Sequence, residues 1–166
     1  MDLTAPQLNR TLLARQSLLA RRVTTPVDAV RSATAIQAQE PASVYLGLHN
    51  RIEGFDPADL DASYETGALV RSIQVRITLH TVTAEDYPYF HAAMVNNLRA
   101  SRLNDRRFTE SGLTVAEADA ALPHFLEFAE RPRNGPEIDA WIAERFGRPV
   151  ERLWWAWRTH APVVPH

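Results

Sequence analysis

Signals that start helices recur along this chain at short intervals and leave room for little else. Thr4 with Gln7 has the spacing of a capping box. Thr25-Pro26 with Asp28, and Asp56-Pro57 with Asp59, each place a capping side chain, a first-turn proline and an early acid in order. Thr83 with Asp86 and Thr114 with Glu117 give two more starts, and Pro41, Pro136 and Pro149 each sit where a first helical turn begins. One stretch departs from this grammar. From Val70 to Val82 the residues Val70, Ser72, Gln74, Arg76, Thr78 and His80 alternate with Arg71, Ile73, Val75, Ile77 and Leu79, a period of two that predicts two short strands or one bent strand. The chain is therefore expected to be mainly α with a small β component.

Apolar spacing fills in the helices. Leu8, Leu12, Leu13, Leu18 and Leu19 predict a first helix to about Arg22, and Val27, Val30, Ala33 and Ile36 a second. Val44, Leu46, Leu48 and Ile52 support a short third helix after Pro41, and a fourth covers Pro57 to Glu65. Helix resumes at Thr83 with Tyr87, Phe90, Met94 and Leu98 on one face. Beyond Ser111-Gly112, helices over Thr114–Glu130, Pro136–Phe146 and Pro149–His160 follow one another with short turns, the middle one ending at Gly147; this is the pattern of a helix-turn-helix. Val163-Val164-Pro165-His166 reads as the beginning of a strand. Two units are expected, a first winged-helix unit over 1–110 and a second helix-turn-helix unit over 111–166, incomplete because its wing is missing. Trp154 and Trp157, three apart, are expected in the core, whereas Trp155 faces elsewhere and is free to cover another part of the chain.

Composition excludes several classes. Apolar residues make up 45% of 166 residues, enough for a core. There is no cysteine, hence no disulfide, thiolate nucleophile or cysteine–zinc site. No apolar run approaches the roughly 18 residues of a membrane span, and no signal peptide is visible, so no membrane partner and a cytoplasmic location are expected. The histidines lack paired ligand spacing, and neither metal nor cofactor is expected. The formal net charge is -2, yet Arg10, Arg15, Arg21 and Arg22 form one cluster without a carboxylate among them, and Arg99, Arg102, Arg106 and Arg107 another opposed only by Asp105. All 18 basic residues are arginine, which suits bidentate phosphate contacts but is explained more simply by a GC-rich coding background. The clusters read either as solvated helix faces or as binding sites.

The polar feature that asks for a chemical reading is Gln37-Ala38-Gln39, followed by Glu40-Pro41. Side chains two apart on an unbroken helix diverge, since each residue turns by about 100°. Pro41 disfavours helix at Glu40, so a break just after Gln39 is expected, and the amides would converge at a helix end where a water or a base edge meets both. The bland reading is a pair of solvent-facing glutamines at a frayed end. On the expected strand, Arg76 and His80 share a face with Gln74 and Thr78; that face either binds a phosphate and lines a cleft or is simply polar surface. Arg152 and Arg158, on the last helix as the presumed recognition helix, are candidates for phosphate contact.

Leu8-Asn9-Arg10, Ile36-Gln37-Ala38-Gln39-Glu40-Pro41, Leu46-Gly47-Leu48 and Phe55-Asp56-Pro57 together resemble the start of the AlkZ-like DNA glycosylases, a family of bacterial winged-helix proteins. Arg71 with Arg76, Thr78, Leu79, His80 and Val82, followed by Asp86-Tyr87, is similar to that family's second signature block. Val75 departs from an expected methionine there and Ile77 from a usual glycine. The resemblance implies tandem winged helices closed by a C-terminal β-rich region in a longer chain, double-stranded DNA as partner, and excision of alkylated bases. It implies catalysis by Gln37 and Gln39; Arg10, Arg71, Arg76 and His80, which fall in its blocks, are candidates for cleft or DNA contact alongside Arg152 and Arg158 of the last helix. No protein partner is implied.

The chemistry suits neutral amides. Glycosidic cleavage passes through an oxocarbenium-like state that water must approach at C1′. A glutamine pair positions and polarises water but is a poor base. That suffices when the base is already cationic through alkylation and leaves without an acid. A truncated glycosylase is thus the leading expectation; a non-catalytic winged-helix regulator and a degenerate fragment are the alternatives.

Overall fold

The computed structural model describes residues 2–164, which form two units: one runs to Ser72 and includes Thr78–Tyr89, and the other comprises Ile73–Ile77 and the chain from Phe90. In the first unit, helices α1 (Ala5–Arg15), α2 (Pro26–Ala33), α3 (Pro41–His49) and α4 (Pro57–Glu65) accompany strands β1 (Ile36–Gln37), β2 (Leu69–Ile73) and β3 (Leu79–Thr83). The sheet order is β1-β3-β2, with β1 antiparallel to β3 in the register Ile36 to Thr81 and Gln37 to His80. Three helices and a β2–β3 hairpin on a three-stranded sheet give the winged-helix arrangement. Val30, Val44, Leu48, Leu60 and Leu69 are buried at its centre.

The capping grammar is obeyed closely. Thr4 and Gln7 form a reciprocal capping box, and the side chains of Thr25 and Asp56 cap α2 and α4 ahead of their prolines. Two helices nevertheless stop earlier than apolar spacing predicts. The first ends at Arg15 instead of Arg22, because Ser17 turns left-handed at φ 55° and the Ser17 and Leu18 amides bond back to the Ala14 and Leu13 carbonyls, a Schellman closure. No described residue of α1 is buried, and Leu8, Leu12, Leu18 and Leu19 are exposed. The second ends at Ala33 instead of Ile36: Thr34 adopts φ 74°, and the chain leaves as β1, a strand not expected from the sequence.

The alternating stretch divides into two strands. A 3₁₀ turn, Val75–Ile77, joins them, with Arg76 at φ 59° and Ile77 at φ 60°. Arg76 is therefore on the hairpin connection, and the single strand face expected to unite it with Gln74, Thr78 and His80 does not exist. Left-handed backbone is costly for a β-branched residue, about 1–2 kcal/mol, and Ile77 bears that cost.

The second unit contains the helix α5 (Tyr87–Leu103), the short α6 (Arg106–Thr109), α7 (Val115–Phe128), α8 (Gly135–Phe146) and α9 (Leu153–His160). Gly147 closes α8 at φ 66°. The start expected at Pro149 shifts to Leu153, after Arg152 at φ 71°. Val163 and Val164 are outside any strand, and Pro165 and His166 lie outside the described residues. The core centres on Phe125, whose ring is 5.0 Å from Trp157, 5.5 Å from Trp154 and 5.5 Å edge-on from Trp141. Trp154 and Trp157 thus pack inward as expected. Trp155 carries the guanidinium groups of Arg102 and Arg107, each 4.4 Å from its ring.

His160, the last residue of α9, is buried, with Nδ1 3.0 Å from the Ala156 carbonyl, and desolvation lowers its pKa from 6.5 to about 4. The unfolded chain therefore binds more protons than the folded one between those values, and stability must fall as pH drops from 6.5 toward 4. Going from pH 7 to pH 5, urea unfolding is expected to show a loss of about 2 kcal/mol from this residue. An His160→Gln variant with the same pH slope as the parent would remove this assignment.

Candidate active site

The turn at Thr34 decides where the two glutamines point. In extended chain, residues two apart share a face, and exposure alternates accordingly: Ile36 and Ala38 are buried, while Gln37 and Gln39 are exposed. The expected convergence at a helix end is thus replaced by alignment on one face of an edge strand, and Pro41 begins α3 two residues later. His80 stands opposite Gln37 in register, so its side chain emerges on the same face. The opposite face holds Thr81, which bonds the Tyr64 hydroxyl at 2.6 Å in the core.

Hydrogen bonds assign a different role to each polar group. The Ala38 amide donates to the Leu79 carbonyl at 2.8 Å. The Leu79 amide in turn donates to Gln39 Oε1 at 3.3 Å, so a side-chain oxygen continues the ladder past the end of β1. This fixes the amide orientation of Gln39 and leaves its NH₂ group as the outward donor. The Gln37 side chain has no hydrogen-bond partner among the described residues, so both ends of its amide can meet another group. His80 Nδ1 lies 2.9 Å from the Thr78 carbonyl. A carbonyl only accepts, so Nδ1 carries a proton, and in the neutral ring Nε2 offers its lone pair.

Ser43, which sequence reasoning missed, braces this strand. Its hydroxyl lies 2.8 Å from the Gln37 carbonyl and 2.6 Å from the Glu40 carbonyl, bridging β1 to the first turn of α3. Gly47 serves the same packing. A Cβ there would stand 3.3 Å from Ile36 Cγ2, so the close approach of α3 to β1 depends on the missing side chain. A serine two residues after Pro41 and a glycine within an apolar helix were the available signals.

Other expected site residues lie apart from this strip. Arg71 shares the face of buried Leu69 on β2 and sits 5.5 Å over the Tyr64 ring. Arg10 is exposed on α1, and Arg76 is exposed on the hairpin connection. Arg152 and Arg158 are exposed at the two ends of α9. None of Arg10, Arg76, Arg152 and Arg158 has a carboxylate partner among the described residues. The cluster at 99–107 is different, since Arg99 pairs with Asp119, Arg106 with Glu110 and Arg107 with Asp105. The paired Arg107 holds the Asp105 carboxyl well below the ordinary range.

A three-helix unit with a hairpin wing, bearing an aligned glutamine pair along its edge strand, defines a winged-helix protein. The chain belongs to the AlkZ-like DNA glycosylase family, whose model matches residues 30–166. In structure it is similar to the Streptomyces sahachiroi DNA glycosylase AlkZ, with a TM-score of 0.82 at 21% identity over 96% of this chain and 43% of that one. It therefore spans less than half the length of that protein. No curated protein sequence matches it. No described helix is long and apolar enough to cross a membrane.

Replacing Ser43 with alanine removes the brace and takes its hydroxyl from the Gln37 carbonyl, while the Glu40 carbonyl keeps the backbone amide of residue 43. Urea unfolding is expected to show a loss of about 1 kcal/mol; an unchanged midpoint would mean that β1 is held without it.

Proposed function

We propose that this protein takes part in repair of DNA by hydrolysing the N-glycosidic bond of alkylated, cationic bases. The observation that carries the reading is the alignment of Gln37, Gln39 and His80 on one exposed face, with donor and acceptor roles divided among them. A water on that face receives a hydrogen bond from the Gln39 NH₂ and donates one to Gln37 Oε1. Its oxygen attacks C1′ of a nucleotide turned out of the duplex. The glycosidic bond breaks, its electron pair neutralises the cationic base, and the water's proton passes to His80 Nε2 and on to solvent. Two amides alone position the nucleophile but accept the proton poorly; the imidazole lone pair supplies what they lack.

Duplex DNA is held through exposed arginines without internal counter-ions, namely Arg10, Arg76, Arg152 and Arg158. A purely regulatory winged helix is disfavoured by α4. That helix follows the turn after α3, where such folds usually place the groove-reading helix, yet it exposes Asp59, Asp61 and Glu65 and carries no basic residue. Phosphates repel such a face. Affinity from scattered arginines should fall steeply with salt.

The test is single-turnover release of N7-methylguanine from duplex DNA, read as abasic sites. Gln37→Ala/Gln39→Ala is expected to slow release by about 100-fold or more, with DNA affinity little changed. His80→Asn is expected to slow it by about tenfold or more. Release by the double variant at the parent's rate would exclude the glutamines, and release by His80→Asn at the parent's rate would exclude the imidazole as proton acceptor.

A further inference from the structure

A second polar site lies in the first unit, where the loop after α1 meets the loop after α3. Arg22 bridges Ile52 in parallel: its amide donates to the Arg51 carbonyl at 2.8 Å, and its carbonyl accepts from the Glu53 amide at 2.9 Å. Between these loops and α2 is a solvent-open cavity of about 40 Å³ lined by Ser17, Arg22, Thr24, Asp28, Ser32 and Arg51. That is larger than the ~10–15 Å³ one water needs. The lining holds two guanidinium groups, three hydroxyls and one carboxylate. Asp28 is already engaged, bonded by the Thr25 hydroxyl at 2.8 Å and by Arg31 at 2.9 Å. Arg22 and Arg51 have no carboxylate partner among the described residues.

Arg51 is the informative residue. It is part-buried, and its terminal nitrogens reach only neutral oxygens, the Gly47 carbonyl at 2.7 Å and Gln16 Oε1 at 3.3 Å. Its Nε is buried with no acceptor among the described residues. Burial lowers its pKa, so the cation is held without compensation. A desolvated guanidinium that lacks both a counter-ion and one acceptor is costly, whereas an anion with several oxygens supplies both. The Gln16 contact is long and exposed, and it is the one that an oxygen of such an anion would replace.

We infer that this cavity is a phosphate-binding site, in which Arg22 and Arg51 hold the phosphate oxygens and the hydroxyls of Ser17, Thr24 and Ser32 complete the donors. It is independent of the glycosylase reading, because none of its residues belongs to the glutamine strip. The phosphate is either the free ion or a phosphodiester of a nucleic-acid backbone. The test is titration of the full chain with inorganic phosphate, following the arginine Nε–Hε resonances by NMR at constant ionic strength set with chloride. A saturable shift of the Arg51 resonance is expected, weakened about tenfold or more in Arg22→Gln, whose side chain is exposed and makes no described contact needed for folding. No saturation, the same shift with chloride alone, or unchanged affinity in Arg22→Gln overturns the proposal and leaves the cavity to water. Duplex DNA then separates the sources: competition with bound phosphate assigns the site to a backbone phosphodiester, and undisturbed phosphate binding assigns it to the free ion.

Discussion

Two residue pairs between β1 and β3 govern the chemistry of the first unit. Once Ile36 faces Thr81 and Gln37 faces His80, strand geometry fixes the next two residues as well: Ala38 must point inward and Gln39 outward. The pairing itself depends on Thr34, whose left-handed turn ends α2 and redirects the chain along β3. It also depends on Gly47, because any side chain there would press on Ile36. A shift of one residue would send both glutamines into the core and Ala38 to the surface. The buried apolar pair and the exposed amide pair are therefore two faces of one constraint, and packing energy selects the register that exposes the polar groups.

Charge is organised by a similar economy. In the second unit, what reads as a basic cluster is largely neutralised within the unit. Asp119 answers Arg99, Asp105 answers Arg107, and the Trp155 ring accommodates both Arg102 and Arg107. Such groups have little field left for a polyanion. Among the described residues, Arg22, Arg76 and Arg152 have no carboxylate partner and lie on bridged or left-handed backbone, whereas Arg10, also without one, lies within α1. Net charge alone is thus a poor guide to where an anion is welcome.

Helix starts were legible in the sequence because caps act within four residues; Thr4, Thr25, Asp56 and Thr114 all cap as their spacing implies. Helix ends were less so. Ser17 and Thr34 both adopt positive φ without glycine, so apolar spacing ran on past the true ends. The site was half legible. Pro41 correctly marked the start of α3, but β1 is two residues long, too short for its alternation to outweigh a helical pattern already begun at Val27. Partners distant in sequence, such as Leu79 for Gln39 or Asp119 for Arg99, leave no local mark at all.

The arrangement of amides bears on which bases such a site would release under the proposed reading. Gln39 is committed at its oxygen to the Leu79 amide and so presents donors only. Gln37 has no such tie and can present its oxygen. Neither becomes charged, so neither stabilises an oxocarbenium as a carboxylate would, nor protonates a departing base. The barrier must already be lowered by the substrate, and a base made cationic by alkylation meets that condition because its departure cancels a charge instead of creating one. Discrimination between damaged and intact nucleotides then arises from the chemistry of the bond more than from the shape of the pocket. Replacing Gln39 with a carboxylate would remove the side-chain donor to water. It would relax that filter only if Leu79 still found an acceptor, since the same oxygen that ends the ladder also sets the direction of the amide.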